Sequence, residues 1–250
     1  REFQGERVMV ELSFSSLTLL DILLIILVDS LAVVSLAVSC ILARRGNEKW
    51  VPRKFSHVTI SSLIGLTLPF YSSLTGPSIT LVIFVVGIFG CSLLGPDVKK
   101  VVLSAGTREG GSQLQTFLVS VLTLIAFAIV FLLFINVPAV FVSSILAVSW
   151  GDGAGEVVGR PLGRHKFRVR GGQTKSLEGS MAVMIMTFIG VTFAFFLFPV
   201  AVPIERLLFS ALVVSLVVSL VEIVCVSGTD NAAIPIVSSF LLWTLLFPFV

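Results

Sequence analysis

Residues 151 to 180 read GDGAGEVVGRPLGRHKFRVRGGQTKSLEGS, a charged, glycine-rich stretch between two apolar runs. Three carboxylates, Asp152, Glu156 and Glu178, stand there among six cations, Arg160, Arg164, Lys166, Arg168, Arg170 and Lys175. Eight glycines accompany them, including Gly151, Gly153, Gly159 and Gly179. Carboxylate oxygens suit Mg²⁺, ammonium and guanidinium groups suit phosphate oxygens, and bare glycine backbone lets a polyphosphate approach closely. Basic residues alone would serve anionic lipid headgroups equally well. The interleaved acids and glycines shift the expectation to a nucleotide triphosphate carried with Mg²⁺.

Two motifs of soluble nucleotide-binding folds do not account for the stretch. Gly153-x-Gly155-x-x-x-Gly159 loosely follows a dinucleotide glycine pattern, but an apolar run precedes it where that motif needs a strand. Lys175-Ser176 ends like a P-loop, yet Thr174 stands where the motif has glycine.

Further candidates lie at the ends of other apolar runs. Arg53 and His57 are four residues apart and share one helical face, with Lys54 beside them, so a phosphate could dock there. Glu222 falls near the end of one apolar run, and Asp230-Asn231 opens the next. Acids at a membrane boundary are costly, which marks them as functional candidates, although Asp230 is also well placed to cap a helix. Asp21 and Asp29, about 12 Å apart along one helix, fit an ion path or a solvated interface equally and are left outside the site. Cys40, Cys91 and Cys225 are isolated in apolar segments and are expected to be buried structural residues.

The elements that position these groups follow from composition. Of 250 residues, 56% are hydrophobic and 12% charged, against roughly 25% charged in a soluble domain. Apolar runs near the roughly 20 residues needed to cross a bilayer occupy 17–43, 56–75, 77–95, 114–135, 137–150, 177–199, 205–226 and 231–249. The fifth is short and is expected to tilt or join the fourth. Uninterrupted rather than alternating hydrophobicity excludes a β-barrel. The expected fold is therefore all-α, a polytopic membrane protein with about seven or eight transmembrane helices. It comprises an N-terminal segment, 1–16, and one membrane domain, 17–250, in which 151–176 forms a catalytic loop. Glu2, Glu6 and Glu11, with no basic n-region, argue against a cleaved signal peptide.

Loops 44–55, 96–113, 151–176 and 227–230, placed on one side, hold fourteen of the 17 basic residues. Arg1, Arg7 and Arg206 alone fall elsewhere, so the charged loops are expected to be cytoplasmic. This fits a cell membrane, or an ER-type membrane in a eukaryote. Tight turns at 75–77 and 136–138 leave little room for chemistry on the other side. A likeness between SLAVVSLAVSC and SALVVSLVVSL raises an inverted repeat, as in transporters, but four residue types explain it more simply by chance.

Together RKFSH (53–57), GDGAGEVVGRPLG (151–163), KSLEGS (175–180) and VEIVCVSGTDNAAIP (221–235) resemble the CTP-dependent lipid kinases that act on phytol, dolichol, polyprenols or diacylglycerol. These are distantly similar to CDP-diacylglycerol synthases. Gly155 stands where phytol kinases tend to have Ala, and Glu156 where Asp is frequent. The Asp230-Asn231-x-x-x-Pro235 ending looks closer to the phytol and polyprenol branch.

The resemblance implies a Mg²⁺-dependent CTP:polyprenol phosphotransferase that phosphorylates an isoprenoid alcohol at the cytoplasmic face. Asp152, with Glu156 or Asp230, would hold the metal. Arg160, Lys175 and Lys54 would face phosphate, with Arg53, Gly151, Gly153, Gly159, Gly179 and Asn231 also at the nucleotide. Glu178, Glu222 or His57 would orient a cation or accept the alcohol proton. The expected partners are a membrane lipid alcohol and a nucleotide triphosphate, with no nucleic acid and a homodimer left open. The competing classes are a cytidylyltransferase, a diacylglycerol kinase and, outside enzymes, a transporter.

Overall fold

A computed structural model of the chain describes residues 14–93, 113–169, 174–225 and 228–247. Arg1, Arg7, Lys99, Lys100, Arg108, Arg170, Gly171 and Gly172 lie outside the described residues, as does the side chain of Cys91.

Each apolar run is mainly helical over its described residues. The helices are α1 (Leu19–Arg44), α2 (Trp50–Thr67), α3 (Thr75–Leu93), α4 (Gln113–Phe134), α5 (Pro138–Leu146), α6 (Gly153–Leu162), α7 (Leu177–Leu197), α8 (Ile204–Val224) and α9 (Asp230–Leu246). Among the described residues the fold is all-α apart from one short hairpin, β1 (Lys166–Arg168) with β2 (Thr174–Ser176), in which Phe167 pairs with Lys175. Local chemistry sets several boundaries. Thr18 and Asp21 form a capping box at the start of α1. Pro138 opens α5, where a missing N–H costs nothing. Ser176 caps α7 by accepting from Gly179 N at 3.1 Å.

The structure departs from the sequence expectation at two places. The fifth apolar run does not join the fourth; it continues through a π-helical turn, Ala147–Asp152, into α6. Much of the expected loop 151–176 is therefore helix followed by hairpin. Glycine and proline content suggested a loop, but packing overrides that preference, because α6 and the π turn lie against both α2 and α7.

The rod formed by α5 and the π turn is the centre of the molecule. Val140, Val142, Ile145, Leu146, Ala147 and Val148 are completely buried, surrounded by α2, α7 and α9. Around this core the outer faces are also apolar. On α8, Leu208, Leu212, Leu216 and Leu220 form an exposed stripe, while Ala211, Val214 and Val218 point inward. A helix apolar on every side needs hydrocarbon outside as well as protein inside. Three described helices, Leu19–Arg44, Leu177–Leu197 and Ile204–Val224, are long and apolar enough to cross a membrane. Shorter apolar helical stretches include Val121–Phe134 within α4 and Asp230–Leu246, which is α9.

Asp21 belongs to this framework. Its carboxylate accepts from Thr18 N at 2.9 Å, Thr18 Oγ1 at 2.7 Å and Ser72 N at 2.8 Å, tying α1 to the turn before α3.

Candidate active site

The deepest charged pair lies where α2 crosses the end of the π turn. Lys54 and Asp152 are both buried, and Lys54 Nζ sits 2.5 Å from Asp152 Oδ2 and 3.3 Å from the Asp152 carbonyl. Neighbouring polar contacts set that crossing. Ser149 Oγ donates to the Val58 carbonyl at 2.8 Å, Ser62 and Ser149 share a 2.7 Å hydrogen bond, and Trp150 Nε1 donates to Ser62 Oγ at 2.9 Å. A π turn inserts extra backbone into a helix and changes the direction of the side chains that follow, a device common at functional sites. Here it ends on Asp152.

One helical turn further, Glu156 gathers three cations. Its Oε2 lies 2.6 Å from Arg53 Nη2 and 3.4 Å from Lys54 Nζ, and its Oε1 lies 2.9 Å from Arg160 Nε. The Arg160 guanidinium also sits 5.6 Å from the centre of the Trp50 ring. On the opposite wall Lys175 donates to Glu222 Oε1 at 2.6 Å and to the Glu222 backbone carbonyl. Asp230 opens α9, buried, with its Oδ1 accepting from Asn231 N at 3.0 Å.

These groups surround one cleft of about 570 Å³, within the size range of small-molecule sites. Five carboxylates line it, Glu48, Asp152, Glu156, Glu222 and Asp230, together with five cations, Arg53, Lys54, Arg160, Lys166 and Lys175. Gly155, Gly159, Gly179, Ser176, Ser180 and Thr174 complete the wall. Buried ion pairs contribute little net stability, since desolvation offsets their attraction. Such a concentration of them therefore points to ligand binding more than to folding.

Of the residues singled out in the sequence, Arg53, Lys54, Asp152, Glu156, Gly159, Arg160, Lys175, Gly179, Glu222 and Asp230 meet in the cleft. Others stand apart from its lining. Glu178 turns away: its carboxylate accepts from His165 Nδ1 at 2.7 Å and from His165 N at 3.2 Å, fastening the hairpin to the first turn of α7. His57 lies behind Asp152, its Nε2 buried and 3.7 Å from Asp152 Oδ2. Asn231 is next to the wall, with a buried, unpartnered Oδ1.

Gly151 and Gly153 do not line the cleft, and their missing side chains have a packing role. A Cβ on Gly151 would lie 2.4 Å from Thr187 Oγ1, and one on Gly153 would lie 2.5 Å from Val58 Cγ2, so both permit helix packing. Gly155 and Gly159 do the same against Gly179, where an added Cβ on Gly179 would meet Gly155 O at 2.9 Å and Gly159 Cα at 3.1 Å. This is the small-residue spacing that lets membrane helices approach closely. Glu48, Lys166, Thr174, Ser176 and Ser180 also line the cleft without having been named as candidates; Ser176 and Ser180 lie inside the KSLEGS motif and Thr174 immediately precedes it.

No family model matches the chain. A phytol kinase of Synechocystis sp. is 28% identical over 109 residues, 44% of this chain and 46% of that protein. A rice protein (Oryza sativa subsp. japonica) named probable phytol kinase 2, chloroplastic, is 32% identical over 216 residues, 82% of this chain and 69% of its own length. The match to the cyanobacterial protein thus spans under half of its length. No solved structure matches.

Proposed function

The chain belongs to the phytol kinase family, and on that premise we propose that it transfers the γ-phosphate of CTP to the hydroxyl of an isoprenoid alcohol at the cytoplasmic face of a membrane. The observation that carries this reading is the cleft itself, five acids interleaved with five bases at one end of an apolar bundle. A bare polyphosphate would meet all five carboxylates. One that brings a divalent cation satisfies both sets of charges.

The carboxylates fit Mg²⁺ by type. Among the described residues no ready cluster of three ligating side chains exists, but Mg²⁺ usually takes one or two carboxylates and completes its shell with water and substrate phosphates. Asp152, with Glu156 or Asp230, would hold it. The ion would neutralise phosphate charge and align the triphosphate.

The chain's own residues do the rest. Lys54, Arg53, Arg160 and Lys175 face the phosphates and stabilise the negative charge spread over the transferring oxygens. Each is already held by a carboxylate, at 2.5 to 2.9 Å, so little reorganisation remains. Glu222 receives the hydroxyl proton. The alcohol oxygen bonds to the γ-phosphorus, the bond to the bridging oxygen breaks, and CDP leaves with that electron pair. The eight apolar segments serve as seven or eight spans and keep the prenyl chain in lipid while its hydroxyl reaches the cleft. Purified protein in liposomes, given γ-labelled CTP, Mg²⁺ and geranylgeraniol, should carry label into the lipid phase. Label that stays in water with every prenyl alcohol would refute the reading.

A further inference from the structure

A continuous line of contacts runs inward from the mouth of the cleft. Trp50 Nε1 donates to Glu48 Oε2 at 2.5 Å, and the Trp50 ring carries the Arg160 guanidinium at 5.6 Å. Arg160 Nε reaches Glu156 Oε1 at 2.9 Å, Glu156 Oε2 lies 3.4 Å from Lys54 Nζ, and Lys54 ends on Asp152. Side-chain exposure falls along the line, from 40% at Arg160 to 15% at Glu156 and 4% at Lys54. The inner part pairs cations with carboxylates and is increasingly buried, as a triphosphate carried with Mg²⁺ needs. The outer part is different: a lining carboxylate, Glu48, fixed by an indole that also seats an arginine.

A carboxylate only accepts hydrogen bonds, so near a nucleotide it repels phosphate and keto oxygens and attracts an amine. Glu48 is the exposed outer end of that line of contacts and Asp152 its buried inner end, so a triphosphate anchored on Asp152 and Lys54 would direct its base outward toward Glu48. An arginine over an indole offers a cationic π surface on which a base can lie. Resting on the nucleotide-donor reading above, we propose that Glu48 is a specificity-determining residue that accepts a hydrogen bond from the exocyclic amine of the donor's base. Trp50 is its positioning residue, holding the carboxylate through Nε1 and Arg160 through its ring. Cytosine carries that amine, whereas uracil presents a keto oxygen at the same position and is otherwise the same size.

The test is equilibrium binding of CTP and of UTP, each with Mg²⁺ and no acceptor, to the detergent-solubilised full chain and to its Glu48→Gln and Trp50→Phe variants. Far-UV circular dichroism verifies that each variant is folded. The parent should prefer CTP, and Glu48→Gln should lower the CTP:UTP preference about ten-fold, the scale of a hydrogen bond to a charged group, because an amide can both donate and accept. Trp50→Phe, which keeps a ring but loses the N–H, should shift the same ratio in the same direction. Equal binding of CTP and UTP by the parent, or an unchanged ratio in Glu48→Gln, overturns the role of Glu48 while leaving the nucleotide site standing. An unchanged ratio in Trp50→Phe overturns the role of Trp50. Binding of neither nucleotide overturns this inference and the donor reading together.

Discussion

Lys54 Nζ and Asp152 Oδ2 lie 2.5 Å apart across 98 residues of chain, both side chains almost wholly buried. Removing one charge of such a pair leaves the other in a low-dielectric site, at a cost of about 3–5 kcal/mol. Lys54→Met should therefore lower the thermal midpoint sharply. The double variant Lys54→Met/Asp152→Asn should recover most of that stability without recovering activity. Recovery of neither would show that the pair is not coupled. Thermal unfolding in detergent measures it.

Asp152→Asn alone keeps the shape and a hydrogen-bond acceptor for Lys54 but removes the charge. It should lower the thermal midpoint yet leave a folded protein, because Glu156 Oε2 still lies 3.4 Å from Lys54 Nζ, and should reduce phosphoryl transfer by at least about 100-fold, the scale of losing one key electrostatic contact. Near-parental turnover in a folded Asp152→Asn protein would remove Asp152 from the metal site.

The two glutamates expected to serve as bases should separate. Glu222 lines the cleft on Lys175, whereas Glu178 is fastened to His165. Glu222→Gln should depress kcat, while Glu178→Gln should loosen the hairpin, visible as faster proteolysis near 165–176, with kcat close to that of the parent. Initial rates at saturating substrate, together with a proteolysis time course, distinguish them.

Glycine substitutions test close packing. Gly179→Ala places a Cβ 2.9 Å from Gly155 O, backbone that cannot move aside cheaply, and should cost about 1–3 kcal/mol. Gly87→Ala has nothing within 4 Å and lies inside α3, so it should be neutral or stabilising by up to about 1 kcal/mol. Thermal midpoints of the two variants provide the comparison.

The helices were legible because uninterrupted apolar runs leave few alternatives, and the site was legible because charge collects at the ends of those runs. Arg53, Lys54, Asp152, Glu156, Lys175, Glu222 and Asp230 meet in one cleft, as their shared boundary implied. Other features depend on what packs against what. Glycine and Pro161 made 151–162 look like loop, yet contact with α2 and α7 makes it π turn and helix. Gly151 and Gly153 sit in the motif but not in the cleft lining, and what their missing side chains make room for, Thr187 and Val58, is set by helix packing that the spacing does not reveal. The partner of Glu178 is a hairpin residue that no spacing rule selects. Glu48 is an exposed acid outside every motif, and nothing local marks its place on the cleft.

Chelation should separate the metal from the cations. Excess EDTA should stop transfer completely, and added Mg²⁺ should restore it, whereas the fold should persist because Lys54, Arg53 and Lys175 still neutralise Asp152, Glu156 and Glu222. Activity that survives EDTA would place the whole charge burden on the side chains.

Identification of both products separates a kinase from a cytidylyltransferase and from a transporter. Purified protein would be incubated with CTP, Mg²⁺ and, separately, phytol, geranylgeraniol, dolichol, diacylglycerol or phosphatidic acid. CDP and a prenyl monophosphate should form in equal amounts with at least one isoprenoid alcohol. Pyrophosphate with a CMP-bearing lipid, or no consumption of CTP with any acceptor, would contradict the kinase reading.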